Sequence, residues 1–115
     1  MPIKPRNTNR GERIASKVQT IVSEILREKY SEDKILSGVS LSGSDSHGGL
    51  QFVRLYYYTH TGKSDTIQKR LDEVTKTIRF ELASRIDQKY VPEIKFTYDD
   101  TLDRANRIDE LLKNL

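Results

Sequence analysis

The chain contains no cysteine, which excludes a disulfide framework, a thiolate metal site and a thiol nucleophile. No run approaches the roughly 20 apolar residues that a membrane span requires, so no membrane partner is expected. The opening segment MPIKPRNTNRGER lacks the apolar stretch of a secretory signal, and a cytoplasmic protein is expected. His47 and His60 are the only histidines, and neither has a second histidine nearby, so no metal is expected. Asp45, Ser46 and His47 are the residue types of a hydrolytic triad, but adjacent residues on one turn do not bring nucleophile, base and orienter into line. Gly48-Gly49 precedes a strand rather than a helix, and THTGKSD lacks the upstream glycine of a nucleotide-binding loop. Asp99–Asp100 reads as a helix cap as well as it reads as a magnesium pair. With no catalytic constellation in sight, no enzyme, cofactor or small-molecule substrate is expected.

What the sequence does have is charge. Of its 115 residues, 32% are charged and 35% apolar, enough for one small domain with one core. The net charge of +3 is unevenly spread. Residues 1–17 hold Lys4, Arg6, Arg10, Arg13 and Lys17 against Glu12 alone, a local charge of +4. Residues 63–95 carry +2, while residues 18–62 carry −1 and residues 96–115 carry −2. A basic arm followed by a basic helix suits a polyanion, because each neutralised phosphate releases condensed counterions.

Residues 1–9 read as a flexible basic arm and residues 10–115 as a single domain. Asn9, with Glu12 three residues later, predicts the cap of a first helix. Ile14, Val18, Ile21, Val22 and Ile25 form its apolar stripe, and the helix is expected to end near Tyr30. Arg10, Arg13 and Lys17 follow their own 3–4 residue spacing on a face beside that stripe. A first strand is expected over Ile35–Ser42 with Val39 and Leu41 inside, then a turn over Ser42–Gly49. Leu50–Thr59 is the strongest strand signal, with Val53, Leu55 and Tyr57 on one face and Arg54, Tyr56 and Tyr58 on the other. Asp65 is the expected cap of a long amphipathic helix, or two nearly collinear ones, carrying Ile67, Leu71, Val74, Ile78, Leu82 and Ile86 and reaching Gln88. Pro92 closes the helical tract. Ile94, Phe96 and Tyr98 alternate as a third strand. Asp100 or Thr101 then caps a last helix carrying Ala105, Ile108, Leu111, Leu112 and Leu115. The order is α-β-β-α(α)-β-α, an α+β fold whose three-stranded sheet is covered on one face by helices.

Lys63, Lys69, Arg70, Lys76, Arg79, Arg85 and Lys89 run along or flank the third-quarter helix. Because the apolar stripe faces the sheet, these cations point outward or sideways. Pairing with Asp72, Glu73 and Glu81 at helical spacing would make them a salt-bridged, solvated face instead. Tyr56 and Tyr58 beside Arg54 offer a different nucleic-acid contact, stacking of bases on the open sheet face, although tyrosine is also a good strand former.

The stretch RLDEVTKTIRFELASRIDQKYVPEIKFTYDDTLDRANRIDELL resembles the C-terminal half of the ribosome-binding factor A family. The matching residues are Ile78-Arg79, Leu82, Lys89, Pro92-Glu93-Ile94, Phe96, Tyr98-Asp99 and Leu111-Leu112. Arg10…Arg13-Ile14-Ala15 and Ser37-Gly38-Val39 are similar to the front of that family. The resemblance implies a type II KH-like fold. It also implies a monomeric factor that binds the immature small (30S) ribosomal subunit through its 16S rRNA during late processing and maturation. Arg10, Arg13, Lys17, Lys63, Lys69, Arg70, Lys76, Arg79, Arg85 and Lys89 are then the expected RNA contacts, two distant cationic stretches converging on one surface. Where family members carry an Ala-x-Gly bend between two helices, this chain has Val74-Thr75-Lys76. Either the bend is shallower here, or Lys76 bears strain of about 1 kcal/mol. The SGSDSHGG segment is longer than the family's usual turn. The alternative function is a protein–protein adaptor that uses its sheet edge or its acidic last helix.

Overall fold

The computed structural model describes residues 6–47 and 52–115, with side chains described from Arg10 onward. Its elements are α1 (Arg6–Lys29), β1 (Ser40–His47), β2 (Phe52–Tyr58), α2 (Asp65–Arg85), β3 (Glu93–Tyr98) and α3 (Thr101–Lys113). The sheet order is β1-β2-β3. β1 and β2 are antiparallel, while β3 lies parallel to β2 after the α2 crossover. The α+β order is the one the periodicities predict.

The core lies between that sheet and two helices. From α1 come Ile14, Val18, Ile21, Val22, Ile25 and Leu26, all buried, as the stripe requires. From α2 come Leu71, Val74, Ile78 and Leu82. Val53, Leu55 and Tyr57 of β2 and Ile94 and Phe96 of β3 close the cluster from below. The strict alternation in β2 follows from its period of two, which sends Arg54, Tyr56 and Tyr58 to the opposite, half-exposed face. Val39 and Leu41 pack against the core from its margin.

Local expectations fail where propensity is weak. Ile35–Val39 is not strand but a series of turns, in which Asp33 Oδ1 accepts from the amides of Ile35 (2.9 Å) and Leu36 (3.0 Å). β1 starts at Ser40 and runs through the stretch expected to be a turn, as far as His47. The serines, glycine and aspartate there are poor strand formers. Pairing along β2, from Ser40 opposite Tyr58 to His47 opposite Phe52, overrides that preference. The register shifts between Leu41 and Gly43, so Ser42 sits in a bulge and its hydroxyl donates to Asp99 Oδ2 at 2.6 Å. The remainder of the expected turn, Gly48 and Gly49, and the expected strand start at Leu50 lie outside the described residues.

α1 opens at Arg6, so Asn9 lies inside it rather than capping it; extending a formed helix by a few polar residues costs little. Residues 1–5 of the expected arm lie outside the described residues. α2 is capped by Ser64, whose hydroxyl accepts from the Ile67 amide at 3.4 Å; Asp65 is instead its first residue, where a carboxylate faces the helix dipole. Gly62, at φ +82°, makes the left-handed turn just before that cap. α2 is one helix, ending at Arg85 rather than at Gln88, because Ile86 is already extended and buried. Val74-Thr75-Lys76 lies in its interior. Among the described residues no non-glycine has positive φ, so Lys76 carries no left-handed strain.

α3 departs most from a core-facing helix. Asp100 holds its N-cap position without a side-chain cap bond, taking Arg104 Nε at 3.0 Å instead. The amide of Thr101 donates to Asp99 Oδ1 at 3.0 Å, so the neighbouring aspartate supplies the capping oxygen. No residue of α3 is buried, and Leu102, Ile108, Leu111 and Leu112 are 56–62% exposed. The sheet is therefore covered by α1 and α2 alone, as a slab 18 Å thick, one helix layer on one sheet.

Candidate nucleic-acid interface

The 3–4 residue spacing of Arg10, Arg13 and Lys17 on α1 puts all three side chains in solvent. Among the described residues none of them takes part in a salt bridge. A cation whose only partner is water keeps its full attraction for phosphate.

The cations of α2 divide into three groups. Lys69 and Lys76 are exposed and, among the described residues, unpaired. Arg70 and Arg85 are committed elsewhere. Arg70 closes a fork on Asp33, with Nε at 3.1 Å and a terminal nitrogen at 2.8 Å from the same oxygen. Arg85 reaches Glu28 at 2.8 Å and Glu81 at 3.5 Å, beside a Lys29–Glu81 pair at 3.2 Å. The hydrogen bond that Arg70 donates to Asp33 raises the Arg70 pKa, and the one that Arg85 donates to Glu28 raises the Arg85 pKa. Asp33 is held below the usual carboxylate range, first by the Leu36 amide and then by Arg70. Guanidinium groups so neutralised clip α2 to the end of α1 and to the turns that follow it, and offer little net charge to a polyanion.

Arg79 forms the third group. Its Nε donates to the Pro92 carbonyl at 3.1 Å and its terminal nitrogen to the Val91 carbonyl at 2.9 Å. The planar fork thus pins the segment between α2 and β3. Its first structural effect is on the position of Lys89 and its neighbours.

That segment is where the start of α1 meets the stretch after α2. Arg10 and Ile14 of α1 share a cavity of about 490 Å³ with Lys89 and Pro92. A second cavity of about 250 Å³, with Val91 on its border as on the first, is lined by Lys76 and Arg79. Among the described residues no carboxylate lines either one. Lys63 stands apart, in a cleft of about 990 Å³ where Asp72, Asp100 and Asp103 offset Lys95, Arg104 and Arg107. The ten sequence-chosen cations are therefore not equivalent. Arg10, Lys76 and Lys89 border adjoining cavities, Arg13 and Lys17 continue along α1 from there, and Arg70 and Arg85 face carboxylates. Asp33 and Glu28 were not legible as their partners, because ion pairs between elements leave no helical spacing to read.

The open sheet face is partly engaged with itself, although Asp45 Oδ1 is buried there without a hydrogen-bond partner among the described residues. Tyr56 donates to Asp45 Oδ2 at 2.8 Å and accepts from Arg54 at 3.1 Å, with the Arg54 guanidinium 5.9 Å from its ring centre. Asp45 and His47 share a face of β1, 3.2 Å apart, while Ser46 projects to the other, so the three cannot line up as a triad. Among the described residues no group of three or more His, Asp or Glu is placed to hold a metal ion, and no helix is long and apolar enough to cross a membrane.

Comparison with known proteins converges on one family. The family model for ribosome-binding factor A matches residues 10–112. Ribosome-binding factor A of Limosilactobacillus fermentum is 35% identical over 114 residues, covering 96% of this chain and 94% of that protein. Ribosome-binding factor A of Pediococcus pentosaceus is 32% identical over 109 residues, covering 92% and 93%. The crystal structure of ribosome-binding factor A from Thermus thermophilus superposes with a TM-score of 0.66 at 12% identity, covering 76% of this chain and 94% of that one. Coordinates of the Thermus thermophilus factor fitted into a cryo-EM map of its complex with the 30S subunit superpose equally well, with a TM-score of 0.66 at 12% identity over 77% and 94%.

Proposed function

The chain belongs to the ribosome-binding factor A family, and from that premise we propose that it docks on the immature small ribosomal subunit and assists late maturation of its 16S rRNA. It acts as a cytoplasmic, monomeric assembly factor and catalyses no reaction. The observation that carries this reading is the carboxylate-free surface where Arg10 and Lys89, 79 positions apart in sequence, line one cavity. Arg13 and Lys17 extend it along α1, and Lys76 borders the adjoining hollow. Contacts of this kind neutralise phosphates and set orientation without reading bases, so site choice comes from RNA shape and tertiary context. A relative seen bound to a 30S subunit supports the choice of partner.

The test is sedimentation of the tagged protein with ribosomal particles across a salt series. Co-migration with free small subunits and not with complete ribosomes is expected. Each removed cation should lower the salt slope by about 0.7–0.9. Joint charge reversal at Arg13, Lys17 and Lys89 should abolish binding while leaving the fold intact, since all three are exposed. Unchanged binding in that variant would overturn the reading.

A protein–protein adaptor is the second reading, and α3 is the observation in its favour, with Leu102, Ile108, Leu111 and Leu112, and Leu115 just beyond it, in solvent. An adaptor would be indifferent to competing RNA. Loss of particle binding on adding free 16S rRNA favours the first reading.

A further inference from the structure

We propose that the surface around Val91 is a stacking platform for unpaired RNA bases, built by Tyr90 and Phe80; this deepens the RNA-docking reading and rests on it. Both rings are 78% exposed, the largest exposures among the aromatic side chains of the core-bearing part of the fold. Phe80 is not a displaced core residue. The buried stripe of α2 passes through Ile78 and Leu82, and a residue two positions from each points roughly 200° away from both. Phe80 therefore stands outward by construction, at the cost of an apolar ring kept in water. The Arg79 fork on Val91 and Pro92 fixes the backbone that follows Tyr90 in the chain. Val91 borders both hollows, with Tyr90 on the rim of one and Phe80 on the rim of the other.

Cations interleave with the rings. Lys89 Nζ lies 5.6 Å from the centre of the Tyr90 ring. Arg10 stands across the Tyr90 hollow, and Lys76 lines the Phe80 hollow. Aromatic faces for bases, with cations alongside for the connecting phosphates, are what a single strand requires. A duplex presents no free base face, so it could use the cations but not the rings. The absence of any carboxylate from the described lining of both hollows separates this surface from the mixed-charge cleft by β3. The open sheet face is the poorer platform, because the Tyr56 side chain is only half-exposed and its hydroxyl is already engaged by Asp45 and Arg54.

The experiment uses the full chain and fluorescence anisotropy with three probes: an unstructured octaribonucleotide, a blunt RNA duplex of equal charge, and a polyglutamate peptide of equal charge. Phe80→Ala and Tyr90→Ala should each weaken binding of the octamer about tenfold and leave duplex binding unchanged. Tyr90→Phe should bind as wild type. The salt slope should be unaltered by either alanine variant and reduced by Lys89→Ala. In a Tyr90→Trp variant, the octamer and not the duplex should quench indole emission. The inference is overturned if both alanine variants bind the octamer as wild type does, if octamer and duplex weaken alike, or if polyglutamate binds as tightly as the octamer. Wild-type sedimentation with small subunits alongside any of those results would sink the platform alone. Failure of the wild type to bind any RNA or subunit would sink the docking reading itself.

Discussion

Replacing Arg79 by methionine separates a phosphate contact from a structural clamp. Two hydrogen bonds from a charged donor end on the carbonyls of Val91 and Pro92, at 2.9 and 3.1 Å. Bonds of this type contribute about 1.5–3 kcal/mol each. Val91 is half-buried, so water partly replaces the donor lost there and the lower part of that range applies to it, whereas Pro92 is buried. About 3–5 kcal/mol for the pair is expected. In a domain of this size, each kcal/mol moves the thermal midpoint by about 4–8 °C. Arg79→Met should therefore melt about 10 °C or more below wild type by circular dichroism, with a matching fall in urea midpoint. Arg79→Lys keeps the charge, but an ammonium cannot span both carbonyls as a planar fork does, so roughly half the loss should remain. A pure phosphate contact predicts the reverse pattern, with wild-type melting in both variants and weakened RNA binding only in Arg79→Met. Midpoints within about 2 °C of wild type in both variants would refute the clamp.

Three further outcomes are expected. Lys76→Gly, which restores a glycine where the family carries one, should destabilise the chain by about 1 kcal/mol in urea, because α2 runs helical through that position; a gain in stability would mean a stored bend. Leu82→Ala should cost about 2–5 kcal/mol, whereas Leu112→Ala, at a position 61% exposed, should stay within about 0.5 kcal/mol; equal losses would mean that α3 is packed. Hydrogen bonds from Ser42, then from Thr101, hold the Asp99 carboxyl below its ordinary value of 3.8. A depressed folded-state pKa stabilises above the unfolded value and is lost as pH falls through the folded one. The stability gap between wild type and Asp99→Ala should thus be constant above about pH 5 and narrow as pH falls below about 4; a gap that does not change with pH would refute an ionised acceptor.

The elements with strong internal period were legible from the chain alone. The stripes of α1 and α2 and the alternation of β2 and β3 each recur within one element, and burial follows them, complete in the middle and partial at Ile67 and Tyr98. β1 was misplaced because its residues carry almost no strand preference; it exists because β2 offers a ladder, and a ladder is not local. The same holds for α3. Its apolar spacing is that of a buried helix, yet the core is already closed by α1 and α2, and spacing alone cannot say whether a covering surface is there.

The charged residues divide along the same line. Their identity and helical face belong to the sequence, as does the family resemblance, because motif and period are properties of neighbouring positions. Which cations remain open to a polyanion was decided only in three dimensions. Arg70 meets Asp33 across 37 positions and Arg85 meets Glu28 across 57, while Arg10 reaches the cavity that holds Lys89. Coulomb attraction and hydrogen bonding depend on distance through space, and in a folded chain that distance is set by packing rather than by separation along the backbone.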